Sequence, residues 1–490
     1  MELTSTRDDR LRCGGYEAIF RGIAPDGGLY VPAALPALSP DETSDLSYAA
    51  LTARILALFL PGVSQAHLQA ACDAAYPARF DTPAVCPLVK AGDRYVLELF
   101  HGETAAFKDM ALQILPYLLT ASLKKCGEQR QVCILVATSG DTGKAALEGF
   151  KDVKNTRILV FYPEDGVSPM QKLQMCTQEG GNVAVCAIEG NFDDAQSGVK
   201  KIFTDKTIAE RLAAEGMAFS SANSINWGRL APQIVYYFSA YCDLVADGAI
   251  KNGDKINVVV PTGNFGNILA AYYAREMGLP IAKLICASNS NSVLTDFLTT
   301  GVYDRNREFF TTVSPSMDIL ISSNLERLLY SLAGSEKVKG WMKQLAECGR
   351  YEVDADTLAK QRSLFAAGCC NDDETKATIA AAYKEKGYLC DTHTAVAVKV
   401  YYDYKARTGD CAPAVIASTA SPFKFSAAVL EAVEGGAEEL DEFAMVARLA
   451  EVTGLECPEQ LAGLRDKPVR FTGCCSKDKM EQTVFDMLGV

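Results

Sequence analysis

Three segments of this chain are rich in Gly, Ser, Thr and Asn, and each follows a run of apolar residues. They are residues 135–150, 258–274 and 414–429, which read LVATSGDTGKAALEGF, VVVPTGNFGNILAAYYA and AVIASTASPFKFSAAV. An apolar run followed by small polar residues and a helical pattern predicts a β-strand that turns into a helix. In open α/β sheets, ligands bind where parallel strands end and helices begin. These three segments are therefore the first candidates for a ligand site.

The turn at residues 262–267 is the clearest candidate for a phosphate site. Such a turn places several backbone N–H groups at a helix N-terminus, where the helix dipole also favours an anion. It is not a nucleotide P-loop, because it lacks the Lys-Ser/Thr ending. A glycine-rich turn that binds no ligand remains the alternative. The candidate residues are Gly263, Asn264, Phe265, Gly266 and Asn267.

Hydroxyl groups mark the other two turns. The turn at 138–143 could bind a carboxylate or a phosphate, although Ser, Thr and Asp are also favoured as helix caps. Gly143-Lys144 does not complete a P-loop, because the preceding glycine is too close. Ser418 and Thr419 could hydrogen-bond a ring nitrogen, or they could be ordinary turn residues. The candidates in the first turn are Ser139, Gly140, Asp141 and Thr142.

Lys108 lies in a fourth segment, residues 99–119, among Ala, Phe, Met and Leu side chains. An ammonium group in apolar surroundings loses solvation, which lowers its pKa and makes a nucleophilic amine available. Covalent chemistry on a carbonyl cofactor requires such an amine. The alternative is a surface lysine that extends from an amphipathic helix into solvent.

Composition excludes several classes of protein. The 490 residues are 49% hydrophobic and 22% charged, as in a globular enzyme of about two to four domains. A net charge of -13 disfavours a nucleic-acid partner, and no apolar run reaches the ~20 residues that span a membrane. Three histidines leave little room for a histidine-rich metal site. The charged start of the chain and 17 scattered cysteines predict a cytoplasmic protein with reduced thiols.

Alternation of apolar runs with helical patterns predicts an α/β fold with mainly parallel sheets. A long amphipathic pattern near residues 224–256 predicts a change of domain, and residues 300–405 are mostly helical in pattern. We therefore expect an N-terminal domain at 1–100, a smaller α/β domain with Lys108 at 101–225, and a larger one at 226–490. The predicted strands are residues 132–137, 157–162, 183–188, 256–260, 282–287 and 413–418.

Together these segments resemble the threonine synthase family, in order and in approximate spacing, over residues 5 to 430. The opening Ser5-Thr6-Arg7 and the segment at 22–32 resemble the start of the same family, in its longer bacterial and fungal type. The motifs that carry the resemblance are HGETAAFKD, ATSGDTG, NSINWGR, PTGNFGN and STASPFKF.

The resemblance implies the fold of type II enzymes that depend on pyridoxal 5'-phosphate. It implies that Lys108 carries the cofactor, that residues 263–267 hold its phosphate, and that Thr419 faces the pyridine nitrogen. Residues 139–142 match the loop that clasps the substrate. Further candidates for the substrate's phosphate are Lys144, Asn226 and Arg229.

The activity implied is conversion of O-phospho-L-homoserine and water to L-threonine and phosphate. Lys108 would act as base at Cα, phosphate would leave Cγ, and water would add at Cβ. One alternative is a phospholyase that releases an α-keto acid (2-oxobutanoate) and ammonia from phosphohomoserine or phosphothreonine. Another is a binding or regulatory protein, against which the intact lysine and phosphate loop argue. The oligomeric state is not legible from the sequence.

The sequence departs from the family pattern at two places. Where the family often has TAHPAKF, Ser421 replaces the histidine and Phe423 replaces a small residue. If that histidine fixes the cofactor ring or a neighbouring loop, this chain must do so by another group. Asp8 replaces a glycine in the opening motif, where we expect an effect on a turn only.

Overall fold

Two largely parallel β-sheets form the framework of the fold, and helices cover both of their faces. The computed structural model describes residues 1–436 and 440–490. In chain order the strands are β1 (Glu2–Ser5), β2 (Arg12–Gly14), β3 (Tyr30–Pro32), β4 (Leu88–Ala91), β5 (Arg94–Glu98), β6 (Gln131–Ala137), β7 (Thr156–Pro163), β8 (Val183–Glu189), β9 (Met217–Ser220), β10 (Ile256–Pro261), β11 (Ile281–Ser288), β12 (Val302–Asp304), β13 (Arg350–Glu352), β14 (Phe365–Cys369), β15 (Ala414–Ser418) and β16 (Cys474–Ser476).

Helices occupy the connections between these strands. In chain order they are α1 (Gly15–Arg21), α2 (Tyr48–Phe59), α3 (Gln65–Ala75), α4 (Asp109–Leu112), α5 (Leu115–Cys126), α6 (Asp141–Phe150), α7 (Pro169–Cys176), α8 (Phe192–Thr204), α9 (Lys206–Ala214), α10 (Trp227–Leu230), α11 (Gln233–Ala246), α12 (Gly266–Met277), α13 (Val293–Thr300), α14 (Leu325–Ala333), α15 (Ser335–Cys348), α16 (Ala355–Leu364), α17 (Asp372–Lys386), α18 (Thr392–Thr408), α19 (Ser426–Glu434), α20 (Glu442–Thr453), α21 (Glu459–Ala462) and α22 (Met480–Leu488). In the described part of the chain, no helix combines the length and the apolar character needed to cross a membrane.

The larger sheet has six strands in the order β14-β11-β10-β15-β5-β4, all parallel except for β4. The smaller sheet has five parallel strands in the order β16-β8-β7-β6-β9. Two small antiparallel sheets accompany them, β2-β1-β3 near the N-terminus and β12-β13. Each of the six strands predicted from apolar runs is present, and the α/β class is confirmed.

Burial on both faces explains why these strands read as continuous apolar runs. In β6, Cys133 and Leu135 pack with α8, α9 and α22, whereas Val132 and Ile134 face the main core of the molecule. Successive side chains of a strand point to opposite faces of the sheet. When helices cover both faces, the residues on each face must therefore be apolar. All six residues of β10 are buried for the same reason.

Strand pairing corrects the expected domain boundaries in two places. Residues 88–98 form β4 and β5 of the larger sheet, so they do not belong to an N-terminal domain ending at residue 100. Lys108 follows β5 and is therefore attached to the larger sheet. At the other end, β16 extends the smaller sheet beside β8, and α22 packs on that sheet's core. The C-terminal segment thus crosses from the larger body to the smaller one.

Candidate active site

The loops after β5, β10 and β15 lie together, because these strands are parallel and adjacent in the larger sheet. Backbone hydrogen bonds join two of them directly. The N–H of Phe107 donates to the carbonyl of Thr419 at 2.8 Å, and the N–H of Ser421 donates to the carbonyl of Ala105 at 3.0 Å. Lys108 is therefore held beside Thr419, whose hydroxyl forms no hydrogen bond with any residue that the structure describes.

Asp141 connects this edge to the smaller sheet. It is the first residue of α6, which follows β6, and it is buried. Its Oδ2 lies 3.4 Å from Lys108 Nζ, and its Oδ1 lies 2.7 Å from Lys424 Nζ. Gln171 on α7 donates to Oδ1 at 2.9 Å, and Ser316 donates to Oδ2 at 3.4 Å. The substrate loop predicted at residues 139–142 therefore meets the predicted cofactor lysine.

Electrostatics of this cluster favour a reactive amine. Burial lowers the pKa of Lys108, and Lys424 and Arg229 lower it further, while Asp141 acts in the opposite direction. Burial alone would raise the pKa of Asp141, but the ammonium groups of Lys424 and Lys108 hold it well below its ordinary range. Asp141 is thus ionised, and the amine of Lys108 is easier to deprotonate than that of an exposed lysine.

The turn after β10 has the geometry of an anion cradle. Phe265 adopts a left-handed conformation (φ +63°) just before α12, and its side chain forms no capping hydrogen bond with that helix. The first N–H groups of a helix have no partner within it. Gly263 packs so closely that an added Cβ would lie 2.7 Å from the carbonyl oxygen of Ser316. The turn is held from behind by Asn324, whose backbone and side-chain N–H groups donate to the carbonyl of Asn264 at 3.1 and 3.0 Å.

The side chain of Asn267 indicates that the turn after β10 suits a phosphate. Its Oδ1 accepts hydrogen bonds from Tyr236 at 2.8 Å and Tyr237 at 2.5 Å, which fixes the amide. Its Nδ2 is buried and has no partner among the described residues. A buried donor without an acceptor is costly, and a phosphate oxygen would satisfy it. The N-terminus of α12 and this free amide therefore fit the cofactor phosphate expected here.

Arg229 is a second group that calls for an anion. Its side chain is buried, with 3% exposure, and burial lowers its pKa to about 10. Nη1 donates to the carbonyl of Ala222 at 2.6 Å, while Nε is buried without a partner in the described part of the chain. None of the described carboxylates lies within 4.0 Å of its guanidinium group. A buried cation of this kind is suited to an incoming phosphate.

The remaining residues of the substrate loop are placed for binding. Ser139 and Thr142 are half-buried, and their hydroxyl groups form no hydrogen bond with the described residues. Gly140 has φ +129°, and a Cβ there would overlap the amide of Gln171. Glycine at this position therefore allows the loop to turn tightly against α7.

Two predicted residues are engaged elsewhere. Asn226 caps α10 through Gly228, and its Nδ2 donates to the carbonyls of Ile19 and Ser221 at 2.9 and 2.8 Å. Lys144 Nζ contacts Glu148 at 2.7 Å and Gln178 at 2.5 Å.

Neither side chain forms a hydrogen bond with Lys108, Asp141 or Arg229. Asn226 builds the turn that precedes Arg229, and Lys144 closes an ion pair within α6. Their direct role at the substrate's phosphate stays a prediction.

At the departure from the family pattern, Ser421 begins the short helix Pro422–Phe425 by accepting a hydrogen bond from the N–H of Phe423 at 3.4 Å. The ring of Phe423 is buried in the core beside Ala105 and Ala420. Ser421 is thus a capping residue. Asp8, at the other departure, accepts a hydrogen bond from the N–H of Arg10 in a turn, at 3.0 Å.

Several site residues were not predicted from the sequence. Lys424 is fully buried and contacts Asp141 and the carbonyl of Thr104, although it lies within the STASPFKF motif. Its apolar neighbours resemble those of Lys108, and that signal could have identified it. Gln171 and Ser316 had no such signal, because the chain brings them to Asp141 from distant segments.

Comparison with known proteins identifies the family. Residues 2–76 match the family "Threonine synthase N terminus", residues 90–419 match "Pyridoxal-phosphate dependent enzyme", and residues 394–484 match "Threonine synthase, C-terminal". A threonine synthase of Pseudomonas aeruginosa is 40% identical over 447 residues, covering 90% of this chain and 92% of the relative. The chain belongs to the threonine synthase family.

The resemblance and the cofactor expected from it, pyridoxal 5'-phosphate, are thereby confirmed. "Threonine synthase-like 1" of Homo sapiens is 42% identical over 435 residues, and this chain spans 58% of that relative's length. The crystal structure of PLP-bound threonine synthase from Brucella melitensis superimposes with a TM-score of 0.86 at 38% identity, covering 99% of both chains. The type II fold of the threonine synthases therefore holds over the whole architecture described above.

Proposed function

We propose that this chain is a threonine synthase, which converts O-phospho-L-homoserine and water to L-threonine and phosphate. The observation that carries the proposal is an excess of buried positive charge at the carboxyl ends of the strands. Lys108 and Lys424 share Asp141, and Arg229 contacts no carboxylate of the described residues. With a net charge of -13, the chain can gather a doubly anionic substrate only through such local cations and N–H groups.

Pyridoxal phosphate, when bound, supplies an electron sink that stabilises negative charge on the substrate's carbons. In this chain Lys108 would hold it covalently, and the N-terminus of α12 with Asn267 would hold its phosphate. The hydroxyl group of Thr419 would face the pyridine nitrogen. A hydroxyl group cannot ion-pair with a protonated ring as a carboxylate would, so it favours the neutral ring.

The substrate is bound at two points in this proposal. Ser139 and Thr142, with the N–H groups that begin α6, receive the α-carboxylate, and the guanidinium of Arg229 receives the phosphate. Lys108 Nζ would take the proton from Cα and could return it, because burial lowers the pKa of this amine. Asp141 holds that amine in place while Lys424 balances the carboxylate's charge.

Product identification tests the function. Purified protein with bound cofactor is incubated with O-phospho-L-homoserine, and threonine, phosphate, 2-oxobutanoate and ammonia are measured. Threonine and phosphate in equal amounts support the proposal. Release of 2-oxobutanoate and ammonia in place of threonine would indicate a phospholyase, and no turnover would indicate a binding protein.

The lysine assignment has its own test. Borohydride reduction followed by peptide mapping should place the cofactor on the peptide that contains Lys108. Label on a peptide with Lys424 or Lys144 instead would refute the assignment. The Lys108→Ala variant is the matched control, and it should bind the cofactor only reversibly and lose turnover.

We also propose a cytoplasmic location. Its support is that all seventeen cysteines are free thiols, as is usual in a reducing compartment.

A further inference from the structure

Residues 312–318, here called the Ser316 loop, lie between the turn after β10 and Asp141. The carbonyl oxygen of Ser316 occupies the space that a side chain on Gly263 would need, at 2.7 Å. The hydroxyl group of the same residue donates to Asp141 Oδ2 at 3.4 Å. This Oδ2 is the oxygen that faces Lys108. A shift of the Ser316 loop would therefore alter both the cradle and the contact that orients the lysine.

One end of the loop is fixed by Asp318. Its carboxylate accepts hydrogen bonds from the N–H of Thr312 at 2.9 Å, from the hydroxyl group of Thr312 at 2.7 Å, and from Asn289 at 2.7 Å. The middle of the loop, at Ser316, is fixed by His393. The N–H of Ser316 donates to Nε2 of His393 at 3.2 Å.

The hydrogen bonds of His393 favour one tautomer of its ring. A backbone N–H can only donate, so Nε2 must carry the lone pair and the ring proton must lie on Nδ1. Nδ1 lies 2.9 Å from Oδ1 of Asp391, which accepts that proton's hydrogen bond. Asp391 is itself fixed because it caps the N-terminus of α18. The ring of Phe425 packs edge-on against the imidazole, with 4.8 Å between ring centres.

We propose that His393 is a positioning residue of this active site. Buried at 2% exposure, with Nε2 as the acceptor, it holds Ser316 and thereby holds Asp141 in the orientation that serves Lys108. The inference rests on the proposed function, because it assumes that Lys108 is the working amine. It assigns to His393 no contact with the substrate or the cofactor.

Two amide substitutions separate the two hydrogen bonds of the imidazole. In His393→Asn the amide nitrogen can occupy the position of Nδ1 and keep the bond to Asp391, but the side chain is too short to reach Ser316. In His393→Gln the amide oxygen can occupy the position of Nε2 and accept the Ser316 N–H. The exposed His67, changed to Asn, is the control.

We expect His393→Asn to lower kcat by about 100-fold while the KM for phosphohomoserine stays within about threefold. The His393→Gln variant should lose less than about tenfold, and His67→Asn should match the wild type. Hydrogen exchange of the peptide covering residues 312–318 should be faster in His393→Asn than in wild type or in His393→Gln. If His393 served only the stability of the fold, its substitution would lower thermal stability but would not lower kcat selectively at nearly unchanged KM.

Wild-type kcat in His393→Asn would overturn the proposal, as would equal loss in both variants with unchanged exchange at 312–318. If His393→Asn does not fold, the His393→Gln variant decides. A folded His393→Gln that loses more than tenfold in kcat overturns the proposal. One that keeps its turnover and its slow hydrogen exchange at residues 312–318 supports it. Failure of the proposed function is distinguished in the wild type, which would then form 2-oxobutanoate or no product. If 2-oxobutanoate forms, the comparison of turnover and exchange among the variants still decides the role of His393. If no product forms, unchanged exchange at 312–318 in His393→Asn overturns the positioning role, and faster exchange in that variant alone supports it.

Discussion

The Arg229→Met variant tests whether the buried guanidinium serves the fold or the substrate. Methionine fills much of the same space with an apolar side chain and removes the charge. Because none of the described carboxylates pairs with Arg229, its buried charge destabilises the folded state. We expect the cofactor-free variant to be as stable as the wild type or more stable, while kcat/KM for O-phosphohomoserine falls sharply.

The two effects can be estimated from the structure. Burial lowers the pKa of Arg229 from 12.5 to about 10, which corresponds to about 3 kcal/mol of unfavourable free energy for the charged form. The hydrogen bond to the carbonyl of Ala222 offsets about 1–2 kcal/mol of this. Stability should therefore stay equal or rise by up to about 2 kcal/mol. Loss of a desolvated guanidinium–phosphate contact should lower kcat/KM by about 2–4 kcal/mol, or roughly 30- to 900-fold.

Urea unfolding of the cofactor-free proteins and steady-state phosphate release measure these quantities. The cofactor's absorbance should be the same in both proteins. Arg229→Lys is the matched control, and it should restore part of kcat/KM, because an ammonium group keeps the charge without the two-pronged geometry. A loss of more than about 2 kcal/mol of stability, with KM within twofold of wild type, would show that Arg229 is structural and would refute the reasoning.

Three further predictions concern neighbouring residues. In Gly263→Ala the new methyl group meets the carbonyl of Ser316, so cofactor affinity measured by dialysis should fall while thermal stability changes by only about 1–3 kcal/mol; unchanged affinity would place the phosphate elsewhere. Lys144→Met should change thermal stability but leave the KM for phosphohomoserine within about twofold, since Lys144 is engaged within α6; a large rise in KM would return it to the substrate site. Burial raises the pKa of Asp109 to about 6, above its unfolded value, so the folded state binds the extra proton between about pH 4 and 6 and loses stability as pH rises through that window. Asp109→Asn should remove about 3 kcal/mol of this pH dependence in urea unfolding, and an unchanged profile would contradict the assignment.

Sequence patterns alone predicted six of the strands and selected the turns and Lys108 as candidates for the site. The six apolar runs became strands because burial on both faces demands continuous apolar residues, and this demand is visible locally. β5 and β14 of the larger sheet were not predicted; both are short, and the ends of β5 are charged residues, Arg94 and Glu98. Lys108 could be singled out because its own neighbours in the chain are apolar.

Lys144 and Arg229 differ in how far the neighbouring sequence predicts the partners of their side chains. Glu148 lies four residues after Lys144 on the same helix, a spacing that favours an ion pair and is legible in the sequence. Among the described residues no carboxylate pairs with Arg229, and no local pattern in the sequence reveals this.

Only the tertiary structure decided which groups meet. The order of β10, β15 and β5 in the larger sheet brings the phosphate turn, Thr419 and Lys108 to one edge. Packing of the smaller sheet against that edge then delivers Asp141 to both lysines. Local patterns record how a segment is buried, because burial acts on each side chain and its chain neighbours. They do not record which distant segment covers it, and that choice determined the charge and reactivity of this site.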